Sequence, residues 1–297
     1  MIERTPILDA VTHVLMLVGL ILAALPIWIV FVASTHDLPT VNRVPMPLWP
    51  GSDMVENYAR VWQKARFGEK MVNSLIVAAG VTAGKIALAA ISAFSIVFFR
   101  YRGRMLMFWL IFVTLMLPLE VRIVPTYAVA SNVLEPFHVL FGALGISVGL
   151  PQVNLLNTYT GLVLPLVATA TGTFLYRQFF MTIPDELAEA AKMDGAGPMR
   201  FFFDILLPLS RTNMAALATI MFVYAWNQYL WPLLIVTDPS RATATMMLQK
   251  IVPGPLFGQP PIWNEAMAAT LLVMIPPLLV VIFMQGYFVR GLVSTEK

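Results

Sequence analysis

The chain contains no cysteine. Neither a disulfide framework nor a thiolate metal centre can be built from it. Charge is nearly as scarce. Asp, Glu, Lys and Arg make up 12% of the 297 residues, against about a quarter in soluble domains. The net charge of +3, with its basic residues scattered, gives no sign of a nucleic-acid surface. The three histidines, His13, His36 and His138, are too far apart for metal-ligand spacing. No paired carboxylates and no Ser-His-Asp grouping suggest a catalytic centre. No catalytic or metal-ligating residue is therefore expected.

What the chain has in abundance is apolar length. Hydrophobic residues account for 59% of it. A membrane-crossing helix needs about 20 mostly apolar residues, and barrel strands need about half that. Six segments qualify: about 14–33, 73–99, 105–125, 157–176, 213–236 and 265–288. The class is all-α integral membrane, with a single six-helix domain over 13–290, a short N-terminal segment 1–12 and a tail 291–297. The first apolar run is too long for a signal-peptide core and is followed by no A-x-A-like cleavage site, so it reads as a retained span. In the second span, Ala79, Ala83 and Ala87 form one ridge of small residues and Gly80 and Gly84 another. That spacing admits a close neighbouring helix, either within the chain or in a partner.

Lys and Arg set the orientation. Six spans place both termini on one side, with ten basic residues, against eight on the other. The eight are spread over far longer loops, whereas Arg100, Arg102 and Arg104 crowd one tight turn. The termini and the loop after the fourth span are expected in the cytoplasm.

That loop, about 182–210, is the most informative stretch. Pro184 suits a first helical turn. Asp185, Glu186 and Glu189 complement a helix N-terminus. Ala188, Ala190 and Ala191 favour helix, and Gly195 can end it in the left-handed conformation. Pro198 opens a second helix whose Phe201, Phe202, Ile205, Leu206 and Leu209 make an apolar face. Two short helices joined at Gly195 are expected. On local physics alone, the hairpin could lie on lipid headgroups or dock a partner protein.

Glu189-Ala190-Ala191, then Gly195, then Ile205 and Leu207-Pro208, resembles at every position the signature loop of ABC importer permeases. Asp194-Gly195-Ala196 in the turn, Arg177-Gln178-Phe179-Phe180 before it and Trp226-Asn227-Gln228-Tyr229-Leu230-Trp231-Pro232 after it are similar to the carbohydrate-importer branch. Leu117-Pro118-Leu119-Glu120-Val121-Arg122-Ile123 and Phe288-Val289-Arg290-Gly291-Leu292-Val293 narrow the likeness to permeases of sn-glycerol-3-phosphate importers. One departure is a long apolar external loop between Tyr127 and Tyr159, where shorter members make a brief turn.

The resemblance implies a type I importer permease fold with a cytoplasmic coupling helix, in the bacterial inner membrane. It implies ATPase coupling through Glu189, Ala190, Ala191, Asp194, Gly195, Ala196, Ile205, Leu207 and Pro208. It implies a second permease subunit as heterodimer partner, two copies of an ATPase and a periplasmic or lipid-anchored substrate-binding protein. The chain itself would bind no cofactor, ATP and Mg being used by the ATPase. The nearest approach to a phosphate loop, Ala79 to Ile86, has Ala79 in place of the first Gly and Ile86 in place of Ser or Thr, so no nucleotide site is expected here.

Lys85 sits near the middle of the second span, where a cation costs about 2.5–3.5 kcal/mol. It could face the pathway and attract a substrate phosphate, or it could pair with a carboxylate or freed carbonyls, or snorkel. Glu120 and Arg122 flank the outer end of the third span, as a periplasmic gate, a binding-protein contact or an internal ion pair. Trp226, Asn227 and Gln228 could line the pathway or pack between helices. A secondary transporter would need intramembrane carboxylates or a repeat, and a membrane enzyme would need a titratable cluster. The sequence offers neither.

Overall fold

The structure is a computed structural model that describes residues 6–117, 119–147, 149–251 and 261–293. Helices account for its regular structure, and there is no strand among the described residues. In order they are α1 (Pro6–Ser34), α2 (Leu38–Val41), α3 (Met54–Gln63), α4 (Phe67–Phe98), α5 (Arg104–Met116), α6 (Leu119–Ser131), α7 (Glu135–Ala143) and α8 (Tyr159–Val163). There follow α9 (Ala170–Phe180), α10 (Asp185–Met193), α11 (Pro198–Phe201), α12 (Leu207–Leu209), α13 (Arg211–Trp226), α14 (Leu230–Ile235), α15 (Ala244–Ile251) and α16 (Trp263–Val293).

Among the described residues, three helices are long and apolar enough to cross a membrane: α1, α4 and the Trp263–Tyr287 stretch of α16. Two bent pairs pass the same test if each is one span. Tyr159–Leu166 with Ala170–Phe180 bends by 50°, and Pro198–Leu209 with Arg211–Trp226 by 75°. In the second pair, the helical stretch after Gly195 meets α13, the start of the expected fifth span, at that sharp bend. The expected third span, 105–125, is divided between α5 and α6. Leu117, which precedes a proline, takes an extended conformation with φ −88° and ψ 112°, as the clash with the proline ring favours.

The chain forms two compact units, Met1–Gly68 with Met247–Ile275, and Glu69–Met246 with Pro276–Lys297. In the first, α1 is exposed along most of its length and buries only Val32, Ala33 and Ser34 at its end. Asn57 organises that end. Its amide donates to the carbonyls of Ser34 at 2.9 Å and His36 at 2.8 Å, and its oxygen accepts from Asn264 at 2.8 Å. Lys64 pairs with Glu265 at 2.8 Å.

The second unit is built around α4. Its two small-residue ridges have different fates: Gly80 and Gly84 are partly covered, while Ala79, Ala83 and Ala87 are exposed. A Cβ on Gly84 would fall 2.5 Å from Val167, and one on Gly172 would fall 2.8 Å from the Cβ of Ala89. Only glycine lets α4 and the bend before α9 come this close. At one end, Asn73 of α4 donates to Ser240 O at 2.8 Å and Ala242 O at 2.9 Å and accepts from the Tyr159 hydroxyl at 2.7 Å. The long Tyr127–Tyr159 segment is no loose excursion. It holds the last turns of α6 and all of α7, and it returns along α6 through Val133 N to Val153 O and Leu155 N to Ala130 O, each 2.9 Å.

Candidate coupling hairpin and membrane cavity

The hairpin forms as its residues dictate. α10 runs from Asp185 to Met193, and Gly195 follows at φ +73°. Ala196 N–H reaches Ala191 O at 2.9 Å, and Gly195 N–H reaches Lys192 O at 3.0 Å. This pair of bonds is the Schellman closure, which satisfies carbonyls that the helix end would otherwise orphan. The next stretch departs from the expected α-helix. Over Phe202–Leu206 the turn widens to π geometry, and Leu207 N–H bonds Phe202 O. Pro208 supplies the reason, having no N–H to complete the ladder to Asp204.

Burial divides the signature residues. Ala191 is buried, as is Leu206 between two signature positions, and Ala196, Ile205, Leu207 and Pro208 are half-buried. Glu189, Ala190, Asp194 and Gly195 are exposed, and the Met193 side chain between them is 83% exposed. One face of the hairpin is thus held by the protein and the other is open. The held face is aromatic. Phe202 stands 4.9 Å from Phe94 and Phe201 stands 5.3 Å from Phe98, ring centre to ring centre. Ala89, Ala93, Tyr176, Phe180, Leu217 and Met221 complete one core, so α4, α9 and α13 all bear on the hairpin. Beside it lies a cleft of about 660 Å³ lined by Arg100, Asp185, Glu189 and Lys192 among others. The basic Arg100–Arg104 turn and the hairpin therefore occupy the same end of this unit.

A second feature lies away from that end. Lys85 is only 6% exposed, and its ammonium lies 4.1 Å from the centre of the Tyr224 ring. It opens on a cavity of about 430 Å³ shared with Thr114, Arg122, Thr169, Thr171 and Tyr224. No ion pair among the described residues involves Lys85 or Arg122. Arg122 Nε is buried with no hydrogen-bond partner among the described residues. Nothing in the sequence linked these two cations, 37 positions apart. Ala79–Ile86 is part of one uninterrupted helix, which offers no phosphate-cradling loop.

Trp226 is buried and stacks on Phe222 at 5.9 Å. Asn227 is exposed and Gln228 half-buried; Gln228 O accepts from the Thr245 hydroxyl at 2.8 Å. The side chain of Glu120 lies outside what the structure describes. Sequence reasoning missed Asn73, Tyr159 and Tyr224, which carry no local signal. Arg177, named there only within the run before the hairpin, has its guanidinium 4.5 Å over the Phe108 ring and joins α9 to α5.

Known proteins match this arrangement from end to end. The family described as "Binding-protein-dependent transport system inner membrane component" matches residues 85–294. The sn-glycerol-3-phosphate transport system permease protein UgpE of Yersinia enterocolitica is 48% identical over the full length of both chains, as are the proteins of that name from Pectobacterium atrosepticum and Salmonella typhi. Among solved structures, a chain of a bacterial ABC transporter involved in the import of the acidic polysaccharide alginate superposes with a TM-score of 0.75 at 20% identity, over 97% of this chain and 100% of that one. A chain of a bacterial alginate ABC transporter in complex with an alginate pentasaccharide-bound periplasmic protein gives 0.64 at 16% identity, over 94% and 92%. These likenesses establish the permease fold. The chain belongs to the family of inner membrane components of binding-protein-dependent transport systems and is a transport subunit, not an enzyme.

Proposed function

We propose that the chain is one of two different permease subunits of an ATP-driven importer for sn-glycerol 3-phosphate or its glycerophosphodiesters. The observation that carries this reading is full-length identity of 48% to permeases named for that substrate. Six spans over 13–290 form half of the pathway, and both termini and the 182–210 loop lie in the cytoplasm. Two copies of an ATPase bind beneath and use ATP and Mg; the permease binds no cofactor. A periplasmic or lipid-anchored binding protein delivers substrate from outside. The hairpin suits a lever. Glu189, Ala190, Asp194 and Gly195 face outward for the ATPase, while Phe201 and Phe202 tie the same hairpin to α4. ATP-driven closure then moves α4, α9 and α13 together.

The test is uptake of labelled glycerol 3-phosphate by the complex reconstituted in vesicles, with maltose and oligosaccharides as competitors. ATP-dependent uptake that sugars do not compete supports the reading. Competition by sugars without glycerol-3-phosphate uptake reassigns the cargo to carbohydrate. Uptake that persists when ATP hydrolysis is blocked removes the importer mechanism altogether.

A further inference from the structure

A lysine in the middle of an apolar helix needs compensation, and among the described residues no carboxylate pairs with Lys85. Lys85 instead lines a cavity that a second cation, Arg122, also lines, and its ammonium lies over the ring of Tyr224 on that wall. Bringing like charges to one small apolar space is unfavourable unless an anion joins them. A third positive feature points to the same place. The cavity wall includes Ala168, Thr169, Ala170 and Thr171, which are the break and the first turn of α9. The first amides of a helix have no partner within it, and the helix dipole makes that end attractive to anions. Thr169, at the N-cap, makes no side-chain capping hydrogen bond. Thr169 and Thr171 line the same wall, and no carboxylate lines the cavity among the described residues. Gly84 and Gly172 are the devices that bring the α9 end against α4 beside Lys85. A helix broken within the membrane, with its N-terminal half-turn aimed at an anionic group, is a geometry that transport proteins use elsewhere.

We propose that this cavity binds a phosphate dianion carried by the transported molecule, held by Lys85 and Arg122 against the first turn of α9. This subunit then recognises cargo inside the membrane in addition to any recognition by the binding protein. The identity of the cargo rests on the glycerol-3-phosphate reading above, whereas the anion chemistry rests on the cavity. A lipid headgroup carries a similar phosphate, so the test separates a soluble ligand from a resident lipid.

The absence of cysteine makes one introduced thiol a unique reporter in this subunit. In the full complex in vesicles, Thr171→Cys is labelled with N-ethylmaleimide and the labelling is read by mass on this chain. Glycerol 3-phosphate is expected to slow labelling about tenfold, inorganic phosphate to slow it less, and glycerol to have no effect. The protection is expected to vanish in the Lys85→Gln, Arg122→Gln background and to survive in Lys85→Arg. Equal labelling with and without either phosphate compound overturns the proposal, and is the result expected of a cavity filled by a lipid headgroup. Protection by inorganic phosphate alone overturns the assignment to cargo. Protection that persists in the double variant overturns the role of the two cations. Should Thr171→Cys fail to assemble, Thr114→Cys reports on the same cavity. Uptake of labelled glycerol 3-phosphate is measured on the same vesicles. Its absence defeats the substrate reading, while labelling in inorganic phosphate still decides the anion site.

Discussion

The ring of Phe202 lies 4.9 Å from that of Phe94, with the planes at 41°. This contact joins the hairpin to α4, and it lies within a core that also takes in α9 and α13. A push on the exposed face of the hairpin would be carried to these helices through packed aromatic rings, because densely packed side chains transmit displacement instead of absorbing it.

Truncating that joint tests it. Phe202→Ala removes a buried ring, and such changes cost about 3–5 kcal/mol. Substrate moved per ATP hydrolysed is expected to fall in reconstituted complex, with Phe202→Leu retaining part of it. Phe203, 56% exposed, is the control. Phe203→Ala is expected to leave thermal stability almost unchanged, and a large loss there would mean the exposed face carries the packing.

Gly195 and Gly197 separate conformation from space. Neither has an atom within 4 Å of where a Cβ would stand. Gly195 has φ +73° and Gly197 has φ −71°. Gly195→Ala is expected to destabilise by about 1–2 kcal/mol through the left-handed backbone alone, and to weaken retention of the ATPase on purification. Gly197→Ala, at the N-cap of α11 but with negative φ, is expected to cost less than Gly195→Ala. Equal melting temperatures for the two variants contradict the Schellman closure.

Asn73 is a three-bond clamp. Asn73→Leu leaves two carbonyls and the Tyr159 hydroxyl without their partner, and a loss of about 2–4 kcal/mol is expected from buried groups left unsatisfied. Tyr159→Phe removes one of those bonds and is expected to cost about 1 kcal/mol. Melting of the purified complex measures both, and a reversed order rejects the clamp.

Asp238 gives the pH dependence a sign. The Ser240 hydroxyl donates to it at 2.6 Å and the Ser240 amide at 2.8 Å, and these bonds hold its carboxyl below the ordinary value of 3.8. A folded pKa below the unfolded one means stability is present above the ordinary carboxylate range and lost as the pH falls through the folded value. Melting temperature is therefore expected to drop below about pH 4 in wild type, and to drop less steeply in Ser240→Ala. Identical acid limbs for the two proteins reject the assignment.

The hairpin was largely legible in the chain. Pro184, the acidic first turn, the alanines and Gly195 are local instructions, and each acts within a few residues of itself. The long helices were legible for the same reason, since about 20 apolar residues in a row have few alternatives. The bends were read less well. Prolines mark where a ladder can break, but not whether the chain continues straight, widens to a π turn as before Pro208, or divides as after Leu117.

The sequence by itself determined that this is a helical membrane protein with a two-helix hairpin turning at Gly195, because hydrophobic length, helix stops and capping are local or periodic properties. Only the tertiary structure decided which alanine of Glu189-Ala190-Ala191 is buried, that Trp226 stacks in a core, and that Lys85 and Arg122 open on one cavity beside the end of α9. These outcomes depend on how far apart helices pack and at what angle. That is set by the small residues and aromatic rings at their contacts, between positions remote in the chain, where no local pattern records which surfaces will meet.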